Sequence, residues 1–127
     1  MVNAPDNAPT HRQLKISTLG GLSIHLDDAP VTGFVSRKVE ALLVYIAANP
    51  REHPREVLGT LLWDDLPQAR TMSYLRTALS SLQKQLAPFL QVTRQSIAIN
   101  PDSNYWLDIS ALDTALSAAE NRWQQRG

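Results

Sequence analysis

A chain of 127 residues with no cysteine, and with twelve Lys/Arg balanced by twelve Asp/Glu, rules out several classes at once. It is long enough for one domain. It can hold neither a disulfide framework nor a thiolate zinc site, which fits a reducing cytoplasm. The zero net charge hides an uneven distribution. Residues 1–65 carry six cations against eight acids and residues 102–127 carry two against four, while residues 66–101 hold Arg70, Arg76, Lys84 and Arg94 and no acid at all. Such a segment is a local positive field, and it is the local field that steers a partner.

The opening "MVNAPDNAPTHRQ" has neither the basic start nor the apolar run of a signal peptide and reads as a flexible lead-in over residues 1–13. No apolar run approaches the roughly 18 residues of a membrane span, so no membrane partner is expected. "LKISTL" and "LSIHL" alternate on either side of Gly20-Gly21, the pattern of a hairpin whose turn needs positive φ. "DDAPV" turns into a short third strand near Val31. "SRKVEALLVYIAAN" is a helix capped at Ser36 and stopped at Asn49-Pro50, with Val39, Leu42, Leu43, Ile46 and Ala47 on its buried face. Pro54 suits a first helical turn, and "PREVLGTLLW" reads as a second helix burying Val57, Leu58, Leu61 and Leu62. After "DDLP" a third helix runs from about Pro67 to Leu86, its stripe made by Leu75, Leu79, Leu82 and Leu86. Leu90, Val92, Ile97 and Ile99 alternate around a tip at Arg94 and Gln95, a second hairpin. "PDSNYWLD" reads as a connector to a last helix capped by Asp108 or Ser110.

Two short helices, a longer third and then a hairpin form the layout of a winged helix-turn-helix, in which the third helix enters the DNA major groove and the hairpin wing serves the backbone or the flanking minor groove. The expected fold class is therefore α+β: an N-terminal antiparallel sheet, a three-helix core, a C-terminal hairpin wing and an extra C-terminal helix. The expected division is 1–13 lead-in, 14–108 winged-helix domain, and 109–127 a helix leading into a further helical domain that this chain does not contain.

The ordered set "LKISTLGGLSIHLDDAPV", "SRKVEALLVYIA", "PREVLGTLLWDDLP", "LRTALSSLQKQL" and "NPDSNYWLD" resembles the DNA-binding domain of SARP-type bacterial transcriptional activators, an OmpR/PhoB-like winged helix preceding an all-helical activation domain. The resemblance spans roughly residues 14–116. It implies sequence-specific binding of double-stranded DNA in transcriptional activation, with RNA polymerase as a further partner. It departs late in the third helix, where that family carries more arginine and this chain has Ser81 and Gln83.

At 100° per residue, Arg70, Ser73, Thr77, Ser80, Ser81 and Lys84 lie opposite the leucine stripe, with Arg76 on one flank and Tyr74 on the other. An ordinary solvated face mixes Glu with Lys, and this one has no acid. Short hydroxyl side chains let a helix approach DNA closely, and arginine can pair bidentately with guanine. These eight residues are the DNA-binding candidates on the helix. Arg94 is the wing-tip candidate for a narrow minor groove, against the plain reading of an exposed turn arginine. Arg37 and Lys38 sit at a helix N-terminus, where the dipole disfavours cations; either a phosphate compensates them, or Glu40 or the pair Asp27-Asp28 does. Arg51 and Arg55 flank the start of the second helix and suit phosphate contact or plain solvation equally. Asp64 and Asp65 either cap helices or, by the resemblance, face RNA polymerase. In the last helix Ile109, Leu112, Leu116, Ala119 and Trp123 form a narrow seam that packs back on the domain, on a downstream helical domain or on a second copy. Trp63 and Trp106 read as core anchors.

His11, His25 and His53 have no metal-ligand spacing, and no nucleophile–base pair is visible. Gly20-Gly21 lacks the lysine and helix of a phosphate loop. No metal, cofactor or enzymatic activity is expected. The competing expectation is a protein-interaction module on a winged-helix scaffold with little DNA affinity.

Overall fold

The alternation at the start of the chain becomes an antiparallel hairpin in the computed structural model, which describes residues 12–111. Strand β1 (Leu14–Ser17) pairs with β2 (Ser23–Leu26), from Leu14 opposite Leu26 to Ser17 opposite Ser23. Leu14, Ile16, Ile24 and Leu26 fill one face, as period-two patterning requires. Gly20 and Gly21 take φ of +80° and +122° in the turn between them. Asp27 and Asp28 follow with φ of +52° and +72° and feed β3 (Ala29–Pro30), which pairs with β2. Two successive positive-φ residues are what a tight turn between antiparallel strands demands. The Asp27 carboxylate accepts the Gln13 N–H at 2.8 Å and Arg12 Nε at 2.9 Å. The backbone bond first, and then the guanidinium, hold this carboxyl below its ordinary pKa. Arg12 and Gln13, expected in the lead-in, are thereby tied to the sheet.

Helix α1 (Arg37–Ala48) buries Val39, Leu42, Leu43, Ile46 and Ala47, the five residues its periodicity picked out. Ser36 takes the N-cap position in extended conformation, but its side chain makes no capping bond. Next comes a two-residue strand, β4 (His53–Pro54). Pro54 has ψ of 138° and pairs with Ser96, so it sits just outside the following helix α2 (Arg55–Leu62) and not in its first turn. Helix α2 buries only Leu58 and Gly59. Val57 and Leu61, expected in the core, are 52% and 50% exposed. The helix is short and lies close against its neighbour at Gly59, so one narrow strip is covered and the ridge one residue away faces out.

Helix α3 (Gln68–Leu86) buries Leu75, Ala78, Leu79, Leu82 and Leu86. A 3₁₀ turn, Ala87–Phe89, leads into β5 (Leu90–Val92) and β6 (Ser96–Ile99), which pair from Leu90–Ile99 to Val92–Ile97. β4 joins the other edge of β6, giving a three-stranded sheet in the order β4-β6-β5. The expected connector contains one more strand, β7 (Tyr105–Leu107), lying parallel to β1. The first sheet is therefore mixed and four-stranded, in the order β3-β2-β1-β7. Three residues are too few to show a period, and their partner strand is about ninety positions away. Leu107 is buried, whereas Trp106, expected in the core, stands outward with Lys15 Nζ at 5.3 Å from its ring.

The architecture is thus α+β: helices α1, α2 and α3 with two small sheets around one core. Asp108 closes β7. Its carboxylate accepts the N–H of Ile109 at 2.7 Å at the start of a helical turn over 108–111; this bond comes from the next residue, and not from the second or third residue on as a capping bond would. It also accepts the N–H of Thr18 (2.7 Å), the N–H of Leu19 (2.8 Å) and the Thr18 hydroxyl (2.8 Å), linking the chain's exit to the first hairpin. Partial desolvation pushes its pKa up, but the bonds from Leu19, Thr18 and Ile109 outweigh it, and the carboxyl sits below its ordinary value. Ile109 packs on the core. Leu112, Leu116, Ala119 and Trp123 lie outside the described residues.

Candidate nucleic-acid interface

Helix α3 carries its leucines inward and leaves a polar face open. Arg70, Ser73, Tyr74, Arg76, Thr77, Ser80 and Lys84 are all exposed, and no acid lies anywhere on the helix. Among the described residues, the side chains of Arg70, Arg76, Lys84, Arg94 and Arg37 enter no hydrogen bond or ion pair. The Thr77 hydroxyl returns to the Ser73 carbonyl at 3.3 Å, so the middle of the face stays low and smooth.

Ser81 departs from the expectation. It is only 7% exposed, and its hydroxyl accepts the Val35 N–H at 3.2 Å. It lies about 120° from the leucine stripe at 100° per residue, on the flank that the segment 31–36 covers. One turn later, Gln85 Nε2 donates to the Thr32 carbonyl at 2.7 Å. Together these two bonds hold the 31–36 segment along α3. Between that segment and the helix lies an open hollow of about 440 Å³, bordered by Val35, Arg76, Thr77, Ser80 and Lys84. Val35 is 64% exposed at its lip. This second wall has no periodic signal in the sequence. Gly33, with φ of +88°, was a local signal for the bend, but nothing in the sequence indicated where the bend would lie.

Lys38 is also engaged within the fold. Its Nζ donates to the Leu62 carbonyl at the end of α2 and lies 5.7 Å from the Trp63 ring. A cation at a helix C-terminus is favourable. Lys38 thus pairs with neither Glu40 nor Asp27, which is occupied by Arg12. Trp63 also meets Tyr74 at 5.9 Å between ring centroids, which fixes the start of α3 against the end of α2.

The second hairpin is braced from α2. Arg55 Nε and Nη2 both donate to the Thr93 carbonyl, at 3.1 and 2.7 Å, and the Arg55 N–H donates to the Gln95 carbonyl. Thr93 Oγ1 accepts the N–H groups of Gln95 and Ser96, and Ser96 donates to Glu52. Arg55 therefore serves the turn, and Arg94 alone among the hairpin's residues presents a cation at its exposed tip.

His53 is buried. Its Nε2 lies 2.8 Å from the Asn49 carbonyl, and its ring lies against Tyr45, so it is a packing residue. Among the described residues no three His, Asp or Glu side chains gather as a metal site would require. None of the described helices is long and apolar enough to cross a membrane. In comparisons with known proteins, no family model, curated protein or solved structure matches this chain.

Proposed function

We propose that this chain is the sequence-specific, double-stranded-DNA-binding domain of a bacterial transcriptional activator of the SARP type, without enzymatic activity and acting in the cytoplasm. It would be a winged helix, with α3 in the major groove and the β5–β6 wing carrying Arg94 to the flanking minor groove. The order α1–β4–α2–α3–β5–β6, with β4 added to the hairpin, supports that reading. The observation that carries it is the acid-free open face of α3, where Arg70, Arg76 and Lys84 stand uncommitted among short hydroxyl side chains. Arg37 would serve as a phosphate ligand. RNA polymerase would meet Asp64 and Asp65, and residues beyond 108 would lead to a helical domain or a second copy.

Salt-titrated binding to a random duplex tests the proposal. If Arg37, Arg70, Arg76, Lys84 and Arg94 neutralise four or five phosphates, log K falls with log salt at a slope of roughly −3.5 to −4.5, and Lys84→Ala lowers the slope by about one. Arg76→Ala weakens binding to a selected site by about 1–3 kcal/mol if Arg76 pairs with a base. Binding that is absent at low salt and without a slope rejects the reading. It would favour a protein-interaction module, a role suggested by the outward Val57 and Leu61 beside a hollow of about 500 Å³.

A further inference from the structure

We infer that Val35 is a base-reading residue, an apolar contact for the 5-methyl group of a thymine next to the bases met by α3; the inference rests on the DNA-binding reading above. Val35 is the most exposed large apolar side chain among the described residues, at 64%. Its N–H is held by Ser81, whose hydroxyl accepts it at 3.2 Å, and the chain three residues earlier is held by Gln85, which donates to the Thr32 carbonyl at 2.7 Å. The main chain that carries Val35 is thus ordered before binding. It stands between two hollows of about 440 and 250 Å³ that share Thr77. One hollow carries Arg76 and Lys84; the other is walled by the Trp63–Tyr74 pair and Lys38.

The occupant that fits this place is apolar where it meets Val35 and anionic on the side of Arg76 and Lys84. A protein segment could meet the apolar group but would have to supply acids in the same arrangement. Duplex DNA has both features built in. In the major groove the thymine methyl is the apolar projection among the base edges, and phosphates run along both rims. Val35 projects from the wall beside α3, so a helix seated in the groove brings this side chain to the base edges along with Thr77.

The test starts from a duplex selected by the wild-type protein out of a random pool. Each thymine in it is then replaced in turn by uracil, which removes only the methyl group. At one position the wild-type Kd should rise about fourfold, the value of one buried methyl group, while Val35→Ala should be insensitive there. Both proteins should bind a random duplex with the same low-salt affinity and salt slope, because Val35 carries no charge. The inference is overturned if no position is sensitive to uracil, or if Val35→Ala keeps the wild-type sensitivity. A wild-type protein without affinity for random duplex at low salt rejects DNA binding itself, and the Val35 contact with it.

Discussion

Gly59 sets how closely α2 approaches α3, and adding one methyl group there tests the packing of the two helices. An ideal Cβ at Gly59 would lie 3.1 Å from Thr71 Oγ1 and 3.3 Å from Thr71 Cβ. Favourable contact between heavy atoms begins nearer 3.5 Å, so Thr71 would have to retreat by a few tenths of an ångström. It has little room to do so: it is 2% exposed, and its hydroxyl donates to the Gln68 carbonyl at 2.8 Å. In a helix, Ala is favoured over Gly by about 1 kcal/mol, while overpacking a tight contact costs about 1–3 kcal/mol. Gly59→Ala should therefore destabilise the domain by about 1 kcal/mol, lowering Tm by about 4 °C. With Thr71→Gly in the background both close contacts are removed, and the same substitution should stabilise by about 1 kcal/mol. The coupling of about 2 kcal/mol is well above the roughly 0.3–0.5 kcal/mol scatter of independent sites. Urea unfolding of the four proteins measures it. Equal stabilisation by Gly59→Ala in both backgrounds would refute the argument, because the helices would then be free to separate.

Leu82→Ala, at a fully buried position of α3, should cost about 2–5 kcal/mol in chemical unfolding. Arg55→Lys replaces a fork with a single ammonium, so amide exchange at Gln95 and Ser96 should speed up while the global stability changes little. Asp108 has a folded-state pKa below its unfolded one, so its ionised form stabilises the fold above the ordinary aspartate range. That contribution is lost as pH falls through the depressed value. Asp108→Asn should lower stability at neutral pH and flatten the acid limb of the stability–pH curve, which thermal melts across that range measure.

Much of the scaffold was legible because its signals are local. The first hairpin has alternating apolar residues around two glycines, α1 has five apolar residues at helical spacing, and the second hairpin has its pattern on both sides of a polar tip. Where the structure departs from such local patterns, tertiary packing is the reason. Val57 and Leu61 are apolar at helical spacing and still face outward, because α2 offers its neighbour only the strip around Gly59. β7 is too short to announce itself and exists through its pairing with β1. The candidate site was legible in part: the open cations and hydroxyls of α3 follow from its leucine stripe. Ser81 and Lys38 do not belong to that open set, because one is covered by the 31–36 segment and the other reaches the end of α2.

The sequence by itself determined the two hairpins, the three helices, the order in which these follow one another and the acid-free face of the third helix, since period and composition are properties of neighbouring residues. Tertiary structure decided which flank of that helix stays open, which cations are free and where Val35 stands. Those outcomes depend on contacts between Val35 and Ser81, Thr32 and Gln85, and Lys38 and Leu62, pairs 24 to 53 positions apart. No local pattern specifies such a pairing; it follows only when the apolar faces have closed on one another and carried the polar atoms between them into reach.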